Sequence, residues 1–220
     1  MGKRSERPLF CTTRADGLRG NRLFWTAVLL AIATLLSAIK PVVLPDGGAV
    51  TYFSLLFLWL VTFFYGPRYG LAAGAVFGIL RLAVTYVTGE HINYAPGALV
   101  LEYPVAFGAL ALGGLALDRR GAFCELDGVV RDSFGLRVGY LVGLVCLGAC
   151  YVLAANLFYP PDRDGLLANL LFTIAYDMSY LGIEAALTML LLCIPAVCDA
   201  IYYVRFLATT PKSDPTLRSF

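Results

Sequence analysis

The chain has 220 residues, of which 59% are hydrophobic and 15% charged, and its formal net charge at pH 7 is +2. Its mean hydropathy of +0.75 is too high for a soluble domain and indicates an integral membrane protein with one membrane domain. Such a composition excludes a soluble enzyme, and we expect the lipid bilayer and not nucleic acid as the environment and partner of the chain.

Residues 1–22 form a polar, basic tail that we expect in the cytoplasm, because cytoplasmic segments of membrane proteins are rich in Lys and Arg. The first predicted helix runs from about Leu23 to Ile39. Ala27 and Ala31 lie one turn apart on it, which gives a small-residue face suited to close contact with another helix. Residues 40–50 contain two prolines and two glycines and predict an outer loop.

The second helix is predicted from Thr51 to Tyr65, and a short inner turn leads to the third, which ends near Thr88. Gly70, Gly74 and Gly78 recur on the third helix at four-residue intervals, so a neighbouring backbone can approach along that side. Arg81 follows on the same face. A charge at that depth needs a partner or a wet cavity.

The fourth helix follows an outer loop and extends to about Asp118, and its start carries Glu102. At helical spacing this acid shares a face with four small residues, so it is expected to point into the bundle. The four residues are Ala98, Ala106, Ala109 and Gly113.

A charged cytoplasmic loop, residues 119–137, precedes a fifth helix over 138–158 and an outer loop over 159–165. The sixth helix begins near Leu166 and stays apolar to about Tyr203. That is longer than one crossing, so it should tilt, kink near Pro195 or project into the cytoplasm. Residues 205–220 form the second tail.

The prediction is an all-α membrane protein with six transmembrane helices over residues 23–204 and both termini in the cytoplasm. The loop assignment puts fourteen of the seventeen Lys and Arg residues on the cytoplasmic side.

Acidic residues inside the bundle are the main candidates for function. Asp177 and Glu184 share a face of the sixth helix, and the rise per residue places Asp177 level with Arg81, which favours a buried ion pair. Glu102 has no cation at its level except His91 or Arg163 in the loops. With Tyr103, Tyr94, Phe172 or Tyr176 around it, this carboxylate suits a small cation or an amine-bearing ring, although a role as interhelical hydrogen-bond partner is the alternative.

Other chemistry finds little support in the sequence. A G-x-x-x-x-G-K-[ST] phosphate loop is missing, a single histidine stands in the chain, and its six cysteines form no C-x-x-C pair. We therefore expect no enzyme, no metal site and no cofactor. The remaining interpretation is a membrane protein that binds a small molecule and needs partner proteins to release it.

Four motifs resemble the thiamine-specific substrate-binding (S) components of energy-coupling factor (ECF) transporters, the ThiT type, over roughly residues 23–200. They are Pro45-Asp46-Gly47-Gly48, Arg68-Tyr69-Gly70-Leu71-x-x-Gly74, Leu101-Glu102-Tyr103-x-x-Ala106, and Tyr176-Asp177-x-Ser179-Tyr180 with Glu184.

The resemblance implies a bundle whose vitamin site opens outward beneath the loop between helices 1 and 2. It implies that Glu102, Tyr103 and Asp177 contact thiamine, with Tyr94, Phe172, Tyr176, Phe158 and His91 as further ligand-binding candidates. It also implies that Ala27 and Ala31 dock on a transmembrane coupling subunit driven by two ATPase subunits, which alone use ATP, in the cell membrane of a prokaryote.

Three positions depart from the resemblance. Asp177 stands where the family usually has Asn, Phe172 falls near an expected Tyr, and the fifth helix lacks the family's His and Trp, for which Phe158 or Tyr159 could supply a stacking ring. Another pyrimidine or vitamin precursor as cargo, or a scaffold that transports nothing, remain the alternatives.

Overall fold

A computed structural model describes residues 15–44, 48–89, 92, 94–116, 133–161 and 165–209 of the chain. Seven helices and a two-stranded hairpin make up the described part. In chain order they are α1 (Ala15–Ala38), β1 (Val42–Val43), β2 (Ala49–Val50), α2 (Ser54–Tyr65), α3 (Pro67–Val87), α4 (Pro96–Ala116), α5 (Ser133–Phe158), α6 (Leu166–Leu192) and α7 (Pro195–Thr209).

Helix α2 is the centre of the bundle. Ten of its twelve residues are buried, and Trp59 is fully enclosed, with its indole Nε1 donating a 3.1 Å hydrogen bond to the Leu136 carbonyl. An α-helix that is apolar on every side is one that protein covers on every side. The sequence predicted a span from Thr51, but the helix begins only at Ser54.

Neighbouring helices run antiparallel and approach closely at glycines. A β-carbon on Gly78 of α3 would overlap the Tyr103 carbonyl of α4, and one on Gly113 of α4 would overlap the Gly139 carbonyl of α5. The predicted close approach of a neighbouring backbone is confirmed at Gly74 and Gly78, which face α4, whereas Gly70 packs against Thr62 of α2. We call the end of the bundle where α1 and α3 end and α2 and α4 begin the hairpin end.

Strands β1 and β2 form the antiparallel hairpin between α1 and α2, with Val42 opposite Val50 and Val43 opposite Ala49. The turn that follows is sharp, since Phe53 has φ 58°, and it is the single described non-glycine residue with positive φ. The hairpin packs against α6. It therefore covers part of the bundle at the hairpin end.

Four helices, α3 to α6, are long and apolar enough to cross a membrane, while Arg22–Ala38 and α2 are shorter apolar helices. The chain is thus a helical membrane protein. Helix α1 begins at Ala15, inside the predicted tail, and α7 continues to Thr209, beyond the predicted end of the membrane domain at residue 204.

The long sixth apolar segment is broken where the sequence places Pro195. Helix α6 ends at Leu192 and α7 begins at Pro195, because proline has no N–H to continue a helix and is tolerated in a first turn. Helix α7 then packs beside the end of α2, where the Arg205 guanidinium lies 4.3 Å from the centre of the Phe63 ring. The predicted kink near Pro195 is therefore present, as an interruption between α6 and α7.

Candidate functional site

A widened turn in α4 presents Glu102 and Tyr103. Pro104 lacks the N–H that an α-helix needs, and its ring collides with the carbonyl of residue i−4, here Val100. Residues Leu101–Val105 therefore adopt a π-helical turn in which the Ala106 N–H reaches the carbonyl of Leu101, five residues back. Such turns are frequent at functional sites. Gly78 of α3 packs directly against the Tyr103 carbonyl of this turn.

The Glu102 and Tyr103 side chains are both half-buried. Tyr103 packs against the hydrophobic core. Glu102 lies within electrostatic range of Asp177 on α6, and Tyr151 of α5 interacts electrostatically with both acids. The structure therefore brings Glu102, Tyr103 and Asp177, three of the predicted ligand-binding residues, to one region between α4, α5 and α6.

Asp177 is 6% exposed. Its Oδ1 accepts a 3.0 Å hydrogen bond from the Tyr180 hydroxyl, whereas Oδ2 is buried without a hydrogen-bond partner among the described residues. The predicted ion pair between Asp177 and Arg81 is wrong. The reason is that the Arg81 guanidinium turns toward α1, where Nη1 donates a 3.1 Å hydrogen bond to the Ser37 carbonyl.

A cavity adjoins this region below the hairpin. It contains about 360 Å³ of space free of protein atoms, counting the part that opens outward. Arg81 and Glu184 line it, and each lies in the electrostatic field of the other. The rest of its wall combines aromatic rings with hydroxyl groups and apolar side chains: Ala49, Thr51, Ser54, Leu55, Phe77, Phe107, Tyr151, Tyr180 and Leu181.

Glu184 is 3% exposed and accepts hydrogen bonds from three residues at or just before the start of α2. Oε2 accepts a 2.7 Å hydrogen bond from the Thr51 hydroxyl. Oε1 accepts one of 3.2 Å from the Leu55 N–H and one of 3.3 Å from the Ser54 hydroxyl. A buried carboxylate requires such compensation, so Glu184 is a fixed part of the wall.

Tyr176 and Phe172, both predicted ligand-binding residues, lie along the same helix toward the hairpin end. The Gly48 N–H of the hairpin donates a 2.9 Å hydrogen bond to the Tyr176 hydroxyl. The Phe172 ring stacks on the Tyr176 ring with centroids 6.3 Å apart. Tyr176 therefore contacts the hairpin and, with ring centroids 5.9 Å apart, the Tyr180 ring, but neither Tyr176 nor Phe172 lines the cavity.

Three further predicted residues lie elsewhere or cannot be placed. Phe158 packs its ring against Gly97 at the start of α4, Tyr94 is 73% exposed, and His91 lies outside the described residues. None of the predicted ligand-binding residues that the structure describes lines the cavity itself.

Lys40 lies at the hairpin end, just beyond α1. Partial burial and, to a smaller degree, the charge of Arg81 lower the pKa of Lys40 from 10.5 to about 8. The two cations are therefore close enough for their charges to interact.

Sequence reasoning missed the cavity wall. Arg81 and Glu184 stood out as membrane charges, but their depth along separate helices could not show that they face one space. Tyr151 carried no signal of its own in the sequence. Among the described residues no group of three or more His, Cys, Asp and Glu side chains could hold a metal ion.

Comparison with known proteins decides the family. The family model described as "Thiamine transporter protein (Thia_YuaJ)" matches residues 23–202, which include every candidate ligand-binding residue. The chain belongs to this thiamine transporter family. The resemblance found in the sequence is thereby confirmed.

A curated relative supports the assignment. The chain is 24% identical over 177 residues to "Thiamine transporter ThiT" of Bacillus subtilis (strain 168), an alignment that covers 79% of this chain and 88% of the relative. The sequence similarity therefore covers most of both chains.

Proposed function

We propose that this chain is the membrane-embedded binding subunit for thiamine uptake in a prokaryotic cell membrane. In this proposal residues 23–204 form a six-span binding domain between two cytoplasmic tails, 1–22 and 205–220. The family assignment, the four long apolar helices and the charge bias of the loops support it.

The observation that carries the proposal is the pair of acids on α4 and α6. Glu102 and Asp177 lie within electrostatic range of each other, and in the described part of the chain neither forms an ion pair with Lys or Arg. Two carboxylates so placed favour a cationic ligand. Thiamine has one fixed positive charge, on its thiazolium ring.

We therefore place the thiazolium beside Glu102 and Asp177, with Tyr103 as an aromatic neighbour. The aminopyrimidine ring then extends toward the cavity, where Tyr151 and Tyr180 offer ring faces and hydroxyl groups. Tyr176 and Phe172 contribute from the hairpin side, and Phe158, Tyr94 and His91 remain outer candidates.

Energy must come from partners in this proposal, because the sequence has no phosphate-binding loop. Ala27 and Ala31 are both exposed on α1, and their small side chains suit close contact with a transmembrane coupling subunit. Two ATPase subunits would drive that subunit. The chain itself then acts as a binding protein without enzymatic activity or cofactor.

Equilibrium binding of thiamine to the purified full chain tests the proposal. We expect Glu102→Gln to weaken binding by at least about tenfold, since it removes a charge facing the ligand in a medium of low dielectric constant. Asp199→Asn, a change of the same charge at an exposed position of α7, is the control and should leave affinity unchanged. Equal affinity of wild type and Glu102→Gln would remove Glu102 from the site.

A different cargo is the second candidate, because Asp177 stands where the resemblance led us to expect Asn and the fifth helix lacks the expected His and Trp. Mass spectrometry of the small molecule that co-purifies with the chain separates the two. Thiamine supports the first candidate, and another pyrimidine supports the second. A chain that retains no ligand and binds neither class would favour a scaffold without transport.

A further inference from the structure

The cavity below the hairpin adjoins the acid pair, but its own charges are balanced. Arg81 and Glu184 line it together, and each lies in the electrostatic field of the other. Glu102 and Asp177, in contrast, are two acids close together, and within the described ranges neither forms an ion pair with Lys or Arg. A cationic ring is therefore stabilised beside the acids, whereas the balanced cavity suits a neutral group.

Aromatic rings form the flat surfaces of the cavity. The Phe107 ring contacts the Phe77 ring edge to face, with centroids 4.9 Å apart, and the Tyr151 ring in the same way at 6.4 Å. Tyr151 also lies in the electrostatic field of Arg81. A space bounded by rings and a few polar groups is typical of a site for a flat heterocycle.

Arg81 is the charged hydrogen-bond donor of this wall. Its Nη1 donates to the Ser37 carbonyl in the last turn of α1, and a guanidinium has five N–H donors in a planar fork, so this bond is compatible with donation to a ligand as well. Glu184 cannot take the same role, because a carboxylate only accepts, and it already accepts three hydrogen bonds. A ring nitrogen with a lone pair is the ligand group that fits Arg81.

Tyr180 supplies an acceptor on the same wall. Its hydroxyl donates its proton to Asp177 Oδ1 over 3.0 Å, and the hydroxyl oxygen can still accept a hydrogen bond from a ligand. The residue lines the cavity and contacts the acid pair at once. A donor and an acceptor so placed suit an amino group next to a ring nitrogen, and a ligand of two rings can occupy both the cavity and the region of the acids.

We infer that Arg81 is a specificity-determining residue of the cavity. It donates a hydrogen bond to a ring nitrogen of a neutral heterocycle, and an amino group on that heterocycle donates to the Tyr180 hydroxyl oxygen. For thiamine this fixes the orientation, with the aminopyrimidine in the cavity and the thiazolium beside the acids. The inference rests on the proposed function for the thiazolium end of the ligand but not for the heterocycle end.

Two ligands that differ in the heterocycle test the inference on the unaltered protein. The benzyl analogue of thiamine has a phenyl ring in place of the aminopyrimidine and keeps the thiazolium. Equilibrium binding to the full chain in lipid nanodiscs should favour thiamine by at least about tenfold, because the phenyl ring leaves the charged donor without its acceptor. Equal affinity for the two ligands overturns the inference, whether or not any variant folds.

Arg81→Met separates a ligand contact from a merely structural role. The change keeps the length of the side chain and removes its charge and donors, so most of the preference for thiamine over the benzyl analogue should disappear. Loss of the hydrogen bond to Ser37 alone would weaken both ligands equally, and that result overturns the inference. Arg68→Met, at an exposed position in the first turn of α3, is the matched control and should leave the preference unchanged.

Oxythiamine, in which a carbonyl replaces the amino group of the heterocycle, tests the contact with Tyr180. The wild type should bind it at least about tenfold more weakly than thiamine, since the Tyr180 oxygen loses its donor. Tyr180→Phe should remove most of this difference. An undiminished difference in folded Tyr180→Phe overturns the contact.

The free aminopyrimidine part of thiamine distinguishes failure of this inference from failure of the proposed function. Suppose that the wild type does not bind thiamine but binds the free aminopyrimidine, and that Arg81→Met weakens this binding by at least about tenfold. The proposed function then fails and the inference stands. Binding of neither thiamine nor the free aminopyrimidine overturns both.

Discussion

The carbonyl of Tyr103 lies against Gly78 so closely that a β-carbon at position 78 would overlap it. Gly78 thus fixes the distance between α3 and the π-helical turn of α4. Since that turn presents Glu102 and Tyr103, the smallest residue of α3 helps to set the geometry of the candidate site.

Gly78→Ala should therefore destabilise the fold by about 1–3 kcal/mol, because overpacking against backbone cannot be relieved by a rotamer change. Gly182→Ala on α6 is the matched control, since a β-carbon there meets nothing within 4 Å, and alanine favours the helix. Thermal unfolding in detergent measures both. Equal stability of the two variants would contradict the close approach.

Trp59→Phe should lower the free energy of unfolding by about 1–3 kcal/mol, because the buried Leu136 carbonyl loses its 3.1 Å donor. Trp25 is partly exposed, and Trp25→Phe should have a smaller effect. Denaturation followed by tryptophan fluorescence compares the two, with one indole left in each variant. A larger loss for Trp25→Phe would show that α2 is not the centre of the core.

Asp177→Asn should raise the stability of the ligand-free protein. The change removes a buried charge near Glu102, while the amide oxygen can still accept the hydrogen bond from Tyr180. The melting temperature without thiamine is the measurement. Tyr180→Phe, which removes the donor, should act in the opposite direction, and a rise in both variants would contradict this account.

Lys40 should react with an acylating reagent along a pH profile with its midpoint near 8, because its pKa is lowered to about 8 by partial burial and by Arg81. Folding disfavours the charged form, so Lys40 opposes stability below pH 8, and this effect fades as the pH rises toward 10.5. Mass spectrometry of the acylated chain follows Lys40, with Lys212 of the C-terminal tail as reference. Arg81→Gln should raise the midpoint, and an identical profile at Lys40 and Lys212 would contradict the shift.

The sequence predicted those features that depend on local pattern. Glycine spacing predicted the face of α3 that a neighbouring helix approaches, Pro195 predicted an interruption near the end of α6, and the family resemblance is confirmed. Side-chain contacts between different helices of the bundle could not be predicted from the sequence. Helical depth paired Arg81 with Asp177, but depth says nothing of the direction in which a helix turns its side chains.

The same limit applies to Glu184. Its neighbours Thr51 and Ser54 are separated from it by more than 125 positions in the chain, and no pattern in the sequence links them. The predicted span from Thr51 to Tyr65 also hid their role, because it treated as helix the strained turn in which Phe53 lies. An acidic residue within an apolar membrane helix was the one signal in the sequence that could have pointed there.

The shortness of α2 bears on how the protein is made. At 1.5 Å per residue its twelve residues extend about 18 Å, whereas the hydrocarbon layer is about 30 Å thick. Only Gly66 separates α2 from α3, which is long enough to span. We therefore expect α2 and α3 to insert into the membrane together, as one pair of helices, during synthesis. Contact with neighbouring helices then keeps α2 away from lipid.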